Sequence, residues 1–573
     1  MKRLSDLVLL PAPRTIRGAA GAFKVPPGSK DPAGVKRRIA AGLPAQGYRL
    51  GITGSGIDIS AADPAGLFYG MATLRQALEQ SDGGLACGEI IDWPDFPARG
   101  VMLDVSRTRV PTMETLFSLI DMFAGLKLNH LQLYTEHTFA YTGHEEIWAE
   151  ASPLTGEEIL RLDAYCRERF IELAPNQNSF GHMTRWLTHP RYRHLAECLD
   201  GFDWPWGGRS SEPFSLDPSD PGSLSLLEDL YAQLLPRFSS RLFNVGCDET
   251  FDVGQGKSTA QCARRGRGRV YLDFLLKVHQ LVKRHGRTMM FWGDIIIEHP
   301  ELVPEIPRDS VALEWGYEAD HPFAGHGARF AGSGIPFWVC PGTSSWNSIA
   351  GRTDNCLGNL RGAAQAGLAH GAAGCLITDW GDNGHWQVLP VSFPGFAAGA
   401  AFSWCLHAAD GLDLAAALDL HVFRDTARVM GRLSLELGNA YRRAGGRLHN
   451  ASHLFQILRS PPGAALPQSV TKESLQETKA FIEATADPLD SSRMDRPDAA
   501  LVRGEFANTA RLLLLACDRG LGAGEDGGGQ RKETILGEYE RLWLARNRPG
   551  GLRESAGKLE EALAPSPRGD GHG

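Results

Sequence analysis

No run of about 18 or more apolar residues occurs in the 573-residue chain, so nothing in it reads as a membrane-spanning helix. Basic charge is not in excess: 59 Lys and Arg against 67 Asp and Glu leave a formal charge of -8, with no global pull toward phosphate backbones or anionic lipid. Neither nucleic acid nor membrane is expected as a partner. The ten cysteines form no C-x-x-C and no short regular spacing, which leaves reduced, mostly buried thiols as the expectation. H-E-x-x-H is absent and the 18 histidines make no compact ligand set, so no metal and no cofactor is expected. The opening MKRLSDLVLLPAPR has a short apolar patch that Asp6 interrupts and Pro11 and Pro13 end, well short of a secretory core with its cleavage site. A cytoplasmic location is the expectation. Gln255-Gly256-Lys257-Ser258 hints at a phosphate loop, but Phe251 stands where that motif needs its first glycine.

Hydrophobic residues at 43% and charged residues at 22% are ordinary globular values, and the length suits roughly three to five domains. Three textures follow one another. Residues 1–95 read as a small α+β domain: Tyr48, Leu50, Ile52, Ile57 and Ile59 alternate through two strands turned at Gly54-Ser55-Gly56, and Leu67, Met71, Leu74 and Leu78 follow at helical spacing. Residues 96–410 change to short apolar runs between amphipathic helices. Eight such runs, at 100–105, 129–134, 170–175, 242–246, 289–292, 311–315, 336–340 and 375–380, predict a (β/α)8 TIM barrel in an α/β chain, since open doubly wound sheets commonly have fewer strands. Thr155 and Glu158 predict a capping box ahead of one of its helices. Residues 411–573 read as a helical C-terminal region, with stripes at Val429, Met430, Leu433, Leu437 and Tyr441 and at Ile535, Tyr539, Leu542 and Leu544. Residues 520–530 read as a flexible loop and the tail from about Pro565 as disordered. This region fits closing a homo-oligomer, shaping a pocket rim or buttressing the barrel.

In such a barrel the reactive groups sit at the C-terminal strand ends. The polar residues after each run are Asp104 and Arg107; Tyr134, Glu136 and His137; Asn178 and His182; Asp248 and Glu249; Trp292 and Asp294; Glu314 and Trp315; and, after the eighth, Asp379, Trp380 and Asp382. Carboxylates alternating with tryptophans around one rim describe a sugar pocket, because carboxylates bind hydroxyls while indoles stack on C–H faces and exclude water. The adjacent pair Asp248-Glu249 does not suit an ordinary glycosidase, which needs carboxyls about 5 Å apart, or about 6.5–9.5 Å, on opposite sides of the bond. If the substrate supplies its own nucleophile, a 2-acetamido carbonyl, one carboxylate can orient that amide while the other is the acid. Capping a helix is the structural alternative for such a pair.

These motifs resemble glycoside hydrolase family 20, the β-N-acetylhexosaminidases. Residues 48–78 look like the end of that family's N-terminal domain, RGVMLDVSR (99–107) like its first barrel strand, VGCDE (245–249) like its Gly-x-Asp-Glu signature and TDWGDNGHW (378–386) like its late Trp-x-Glu motif. The resemblance implies an exo-acting, retaining, substrate-assisted enzyme acting on terminal β-linked N-acetylglucosamine or N-acetylgalactosamine. Asp248 orients the acetamide, Glu249 is acid and then base, Arg107 grips the terminal hydroxyls, Trp292, Trp315 and Trp380 wall the pocket, and Asp382 stands where a hydroxyl-binding glutamate does. PNQNSFGH (175–182) departs by placing Asn178 where the family has aspartate, so that His182 needs another acid for its charge, for which Glu136 is the candidate; the second exit YTEHTFAY (134–141), whose Glu136 and His137 are expected to bind substrate, lacks the Asp-Asp pair common in the family. The seventh run lacks a Tyr-x-Asp, and Trp346 and Asn347 are its stand-ins. A non-catalytic N-acetylglucosamine-binding protein and a conventional two-carboxylate glycosidase stay open as alternatives.

Overall fold

The structure, a computed structural model, describes residues 2–25, 34–81, 83–461, 463–522 and 528–563. In the N-terminal part the strands Tyr48–Thr53 and Gly56–Ala61 pair antiparallel with Ile52 opposite Ile57, as the alternation predicts. Tyr48, Leu50 and Ile52 point into the core while Arg49 and Thr53 face water. The helix Pro64–Glu79 packs on this face; Asp63 caps it by accepting the Gly66 N–H at 2.8 Å, and proline at its first position needs no partner there. Three further strands complete a five-stranded sheet: Thr15–Lys24 and Gly84–Asp92 pair antiparallel beside the hairpin, and Lys36–Ile39 lies parallel on its other side. Thr15–Lys24 is rich in Gly and Ala and mostly exposed, so no hydrophobic alternation marks it.

All eight predicted runs form strands of one parallel sheet: Ala98–Asp104, His130–Tyr134, Glu172–Ala174, Leu242–Asn244, Thr288–Trp292, Val311–Trp315, Phe337–Cys340 and Gly374–Asp379, hereafter barrel strands one to eight. Strand eight pairs with strand one over six residues. Strands three and four close the barrel through a single bridge, in which the Asn244 N–H donates to the Pro175 carbonyl at 3.0 Å and the Asn244 carbonyl accepts from the Gln177 N–H at 2.9 Å. Alternate residues obey the pleat: Met102, Tyr134, Met290, Trp292, Leu313, Trp338 and Leu376 fill the interior, while Val101, Leu131, Phe291, Ala312 and Ile377 meet the helices outside. The predicted capping box is present, Thr155 accepting from the Glu158 N–H and Glu158 from the Thr155 N–H.

The C-terminal region is helical from Leu406 to Leu563. Its Met430–Leu437 stripe is buried, and Tyr441 falls in a separate short helix, Ala440–Arg443. In the helix Gly528–Arg546, Trp543 rather than Leu544 completes the buried stripe with Ile535, Tyr539 and Leu542; Leu544 is exposed. Of the expected loop 520–530, residues 528–530 begin that helix and 523–527 lie outside the described residues, as does the tail from residue 564. Among the described residues no helix is long and apolar enough to cross a membrane. Nine of the ten cysteines are buried and all are free.

One buried ion pair ties the N-terminal sheet to the barrel. Asp92, at the end of its strand, accepts from Lys127 Nζ at 3.1 Å, Tyr48 Oη at 2.8 Å and Trp404 Nε1 at 2.8 Å, all out of water. Burial draws the Lys127 ammonium below its ordinary pKa, and Asp92 counters this. Removing one partner strands a buried charge, which costs about 3–5 kcal/mol. Asp92→Ala is therefore expected to lower unfolding free energy by that amount, measured as the urea midpoint of the intact chain; a loss under about 1 kcal/mol, the scale of an exposed pair, would show that the pair is not the tie described.

Candidate active site

The rim of the barrel is built outward from strand one. Asp104 Oδ1 accepts the backbone N–H groups of Ser106 and Arg107 at 2.9 and 3.0 Å, while Oδ2 accepts the Gly381 N–H of the strand-eight exit at 3.0 Å. That one carboxylate thus joins the first and last exits and also faces Arg107 Nη1 at 3.2 Å. Arg107 is clasped further by Glu136 at 3.7 Å and Asp382 at 3.8 Å and lies over the rings of Tyr134 and Trp380 at 4.7 and 4.8 Å. Burial alone would lower its pKa, but Tyr134, Asp104, Glu136 and Asp382 hold it well above the ordinary value. Burial pushes the Asp382 carboxyl up to about 6 against the pull of Arg107.

Strands three and four bring the central acids together. Gly246, Cys247 and Glu249 all have positive φ, 67°, 68° and 52°, and so does His182 at 58°. These turns are costly for residues with a Cβ and recur where a site over-determines its backbone. Here they let two adjacent carboxylates converge: Asp248 Oδ2 and Glu249 Oε2 lie 3.3 and 3.2 Å from the same His182 Nε2, ion-pair contacts off the line of a hydrogen bond. Gly246 is required because Asn178 Oδ1 occupies the place its Cβ would take, 1.8 Å away. Burial lowers the His182 pKa, but Asp248 and then Glu249 raise it to about 10. The charge therefore comes mainly from Asp248, not from Glu136, whose Oε1 is 4.0 Å from Nδ1. Asp294 accepts the Glu249 N–H at 3.2 Å, fixing that turn, and burial followed by the charges of Asp248 and Glu249 drives its own pKa well up.

The walls of the cavity are aromatic: Trp292, Trp315 and Trp380 surround Asp248, Glu249, Arg107 and Asp382, as expected. Two further lining residues were missed. Tyr317, two residues past strand six, accepts from Trp380 Nε1 at 2.6 Å, so its own O–H remains a donor. Asn450 arrives from the C-terminal helical region with φ 50°, held by Glu318 at its N–H, 2.8 Å, and by Trp346 Nε1 at its side-chain oxygen, 3.0 Å. Tyr317 and Asn450 both lie in loops without periodic pattern, and their meeting at the pocket is tertiary. Asp248 Oδ1 and Trp292 Nε1 are buried with no partner among the described residues. Buried polar atoms of that kind await a ligand or water.

Several expected contacts lie elsewhere. Trp346 is buried behind Tyr317, edge to face at 5.0 Å, and Asn347 holds the Asn383 amide, so neither lines the cavity. Asn178 is fully buried, its amide donating to the Tyr134 hydroxyl, which in turn donates to Glu136 at 3.0 Å; both stand behind Arg107. His137 faces away, toward Arg185 and Glu554, and burial lowers its pKa to about 3. Glu314 points outward to His321 and His326 because it occupies the outer phase of strand six. Against the expectation of no compact ligand set, His182 with Asp248 and Glu249, and Glu314 with His321 and His326, each bring three ligand atoms within 4.8 Å of one another.

Residues 27–93 match the family model described as glycosyl hydrolase family 20, domain 2, and residues 96–335 match glycosyl hydrolase family 20, catalytic domain. The chain is 28% identical over 304 residues to a beta-hexosaminidase of Akkermansia muciniphila, an alignment covering 48% of this chain and 60% of that protein, so it spans less than two thirds of that relative. In fold it is similar to a chitobiase of Flavobacterium johnsoniae, TM-score 0.60 at 16% identity over 98% of this chain and 100% of the other. An exo beta-N-acetylglucosaminidase of Vibrio harveyi in complex with N-acetylglucosamine gives TM-score 0.57 at 18% identity over 74% of this chain and 76% of the other.

The geometry makes His182 a cation at neutral pH. Its ring carbons observed by NMR should show imidazolium through pH 8, and Asp248→Asn should lower the pH at which the ring titrates. A wild-type ring already neutral at pH 8 contradicts the ion triad.

Proposed function

The chain belongs to glycosyl hydrolase family 20, and from that premise we propose that it is an exo-acting, retaining β-N-acetylhexosaminidase that removes non-reducing terminal β-linked N-acetylglucosamine, with N-acetylgalactosamine as the second sugar to test, by substrate-assisted catalysis. The observation that carries this reading is Asp248: Oδ2 engages His182, and Oδ1 is left buried without a donor beside a tryptophan wall. A buried carboxylate oxygen of this kind is matched by an amide N–H, which the 2-acetamido group supplies. With the amide held there, its carbonyl oxygen attacks C1. Glu249 gives its proton to the leaving oxygen as the C1–O bond breaks, and the positive charge rests on the resulting oxazolinium beside Asp248. Glu249 then takes a proton from the water that reopens the ring. Tyr317 Oη, satisfied as an acceptor by Trp380, is the donor suited to the acetamide oxygen, and Arg107 with Asp382 suits the sugar hydroxyls. The conventional two-carboxylate alternative is disfavoured because Asp382, the other pocket carboxylate, is turned to Arg107. A cytoplasmic enzyme of this kind would act on small imported oligosaccharides.

The hairpin pairing Phe202–Asp203 with Arg209–Ser210 displays Trp206, 68% exposed, stacked on Trp204 at 4.9 Å and edge-on to Phe251 at 5.2 Å, two residues past Glu249. We read it as a platform for the departing sugar.

Asp248→Asn is expected to lower kcat on a chromogenic β-N-acetylglucosaminide by on the order of 100-fold with modest change in KM, and Glu249→Gln to spare substrates with very good leaving groups. Unchanged kcat, or product with inverted C1 configuration, removes the mechanism; activity on the matching β-glucoside selects the two-carboxylate alternative. Trp206→Ala should reduce kcat/KM about 5- to 10-fold on a β-linked N-acetylglucosamine disaccharide and leave the methyl glycoside unaffected. Equal effects on both substrates exclude the platform.

A further inference from the structure

Strand six presents Val311 and Leu313 to the barrel interior and Ala312 and Glu314 to the helix layer outside. Glu314 is 2% exposed, yet no arginine or lysine ion pair to it occurs among the described residues. Two imidazoles take that place instead. His321 Nε2 and His326 Nδ1 approach the same oxygen, Oε1, at 2.8 and 2.6 Å, with their rings 5.3 Å apart and at 85°. His321 lies in the loop after strand six and His326 in the helix Phe323–Ser333. The loop is shaped for the first ring: a Cβ at Gly316 would come within 2.1 Å of His321 Nδ1, and Phe323 packs edge-on against the ring at 4.5 Å. Both imidazoles are partly open to solvent, with 19% and 24% of their side chains exposed, which leaves an entry path and room for water.

We propose that Glu314, His321 and His326 form a zinc-class divalent metal site on the outer wall of the barrel, separate from the sugar pocket. The chemistry of the set carries it. Two imidazoles and one carboxylate converging within 4.8 Å are a three-ligand set of the kind zinc takes when a water fills the fourth position. In the metal-free arrangement the converging nitrogens donate their protons to Glu314; on binding, the same nitrogens offer lone pairs and each ring proton moves to the opposite nitrogen, so no net proton need leave a neutral pair. The ion would pin the start of the helix Phe323–Ser333 to strand six. Between them runs the loop bearing Tyr317, whose hydroxyl faces the pocket. The site is thus structural, holding one wall of the cavity from behind.

The test uses the full chain after dialysis against a chelator. Titration with Co(II), a visible-absorbing substitute for zinc, should saturate at one equivalent with the intense d–d bands of a low-coordinate site, and excess Zn(II) should raise the melting temperature by about 3 °C or more. His326→Gln keeps an N–H for Glu314 but removes an imidazole; it should melt near the metal-free wild type and lose both responses. His321→Asn should do the same. Asp248→Asn should retain them, which separates this site from the His182, Asp248 and Glu249 group. Absence of stoichiometric binding would reduce the cluster to a hydrogen-bonded triad, and metal responses that survive His326→Gln but vanish in Asp248→Asn would place the ion in the pocket; either result overturns the proposal.

Discussion

The barrel mouth gathers Asp104, Glu136, Asp248, Glu249, Asp294 and Asp382 around two basic side chains, Arg107 and His182, whose pKa values the neighbouring carboxylates hold up against burial. Arg107 is held by three of these carboxylates and two aromatic faces, and His182 by two carboxylates at nearly equal distance. Burial and the charges of Asp248 and Glu249 push the Asp294 carboxyl, at the edge of this group, well above the ordinary carboxylate range. The two shifted carboxyls differ accordingly: Asp382, beside Arg107, is pushed up to about 6, whereas Asp294, beside Asp248 and Glu249, is driven well up.

Geometry adds what electrostatics alone does not. Neighbouring side chains at a strand end ordinarily diverge. At Cys247 and Glu249 the backbone adopts left-handed conformations, and Asp294 secures the second by accepting the Glu249 N–H. Asp248 and Glu249 thereby approach one imidazole together. Strain of this kind, about 1–3 kcal/mol per residue, persists because the surrounding bonds leave no alternative path: Asn178 fills the space beside Gly246, and the Tyr271 hydroxyl donates to the Cys247 carbonyl at 2.9 Å.

What could be read from the sequence was what periodicity and local order encode. Eight apolar runs, the Thr155 capping box and the hairpin at Gly54 are short-range patterns, and all appear. Arg107, Asp248, Glu249 and the tryptophans 292, 315 and 380 sit directly at strand ends, so their convergence follows from the barrel itself. The errors fall where one must know which way a side chain points. Glu314 and Trp315 are adjacent, yet the pleat sends one to the helix layer and the other to the pocket. His137 and Asn178, in the exits of strands two and three, are buried in the protein and do not line the cavity. Asn450 comes from a segment more than 130 residues beyond Trp315, and no local pattern announces a contact of that range.

That distant contribution decides what the helical region is for within a single chain. Glu318, 5% exposed, accepts from Arg352 Nη1 at 2.9 Å, Arg447 Nε at 3.2 Å and the Asn450 N–H at 2.8 Å, so a buried carboxylate one residue past Tyr317 is satisfied largely by the C-terminal region. The same region reaches the opposite rim, where the Arg548 N–H donates to the Val110 carbonyl at 2.8 Å and the Thr112 N–H to the Arg546 carbonyl at 2.9 Å, just past Arg107. Arg546 is itself fixed by a buried two-pronged bond to Glu505 at 2.9 and 2.7 Å. Both ends of the cavity therefore rest on polar bonds from outside the barrel. Withdrawing the helices would leave Glu318 underpaired in a buried position, a penalty larger than the loss of the bonds themselves. The helical region is accordingly part of the site's construction, and the barrel strands alone do not specify the pocket.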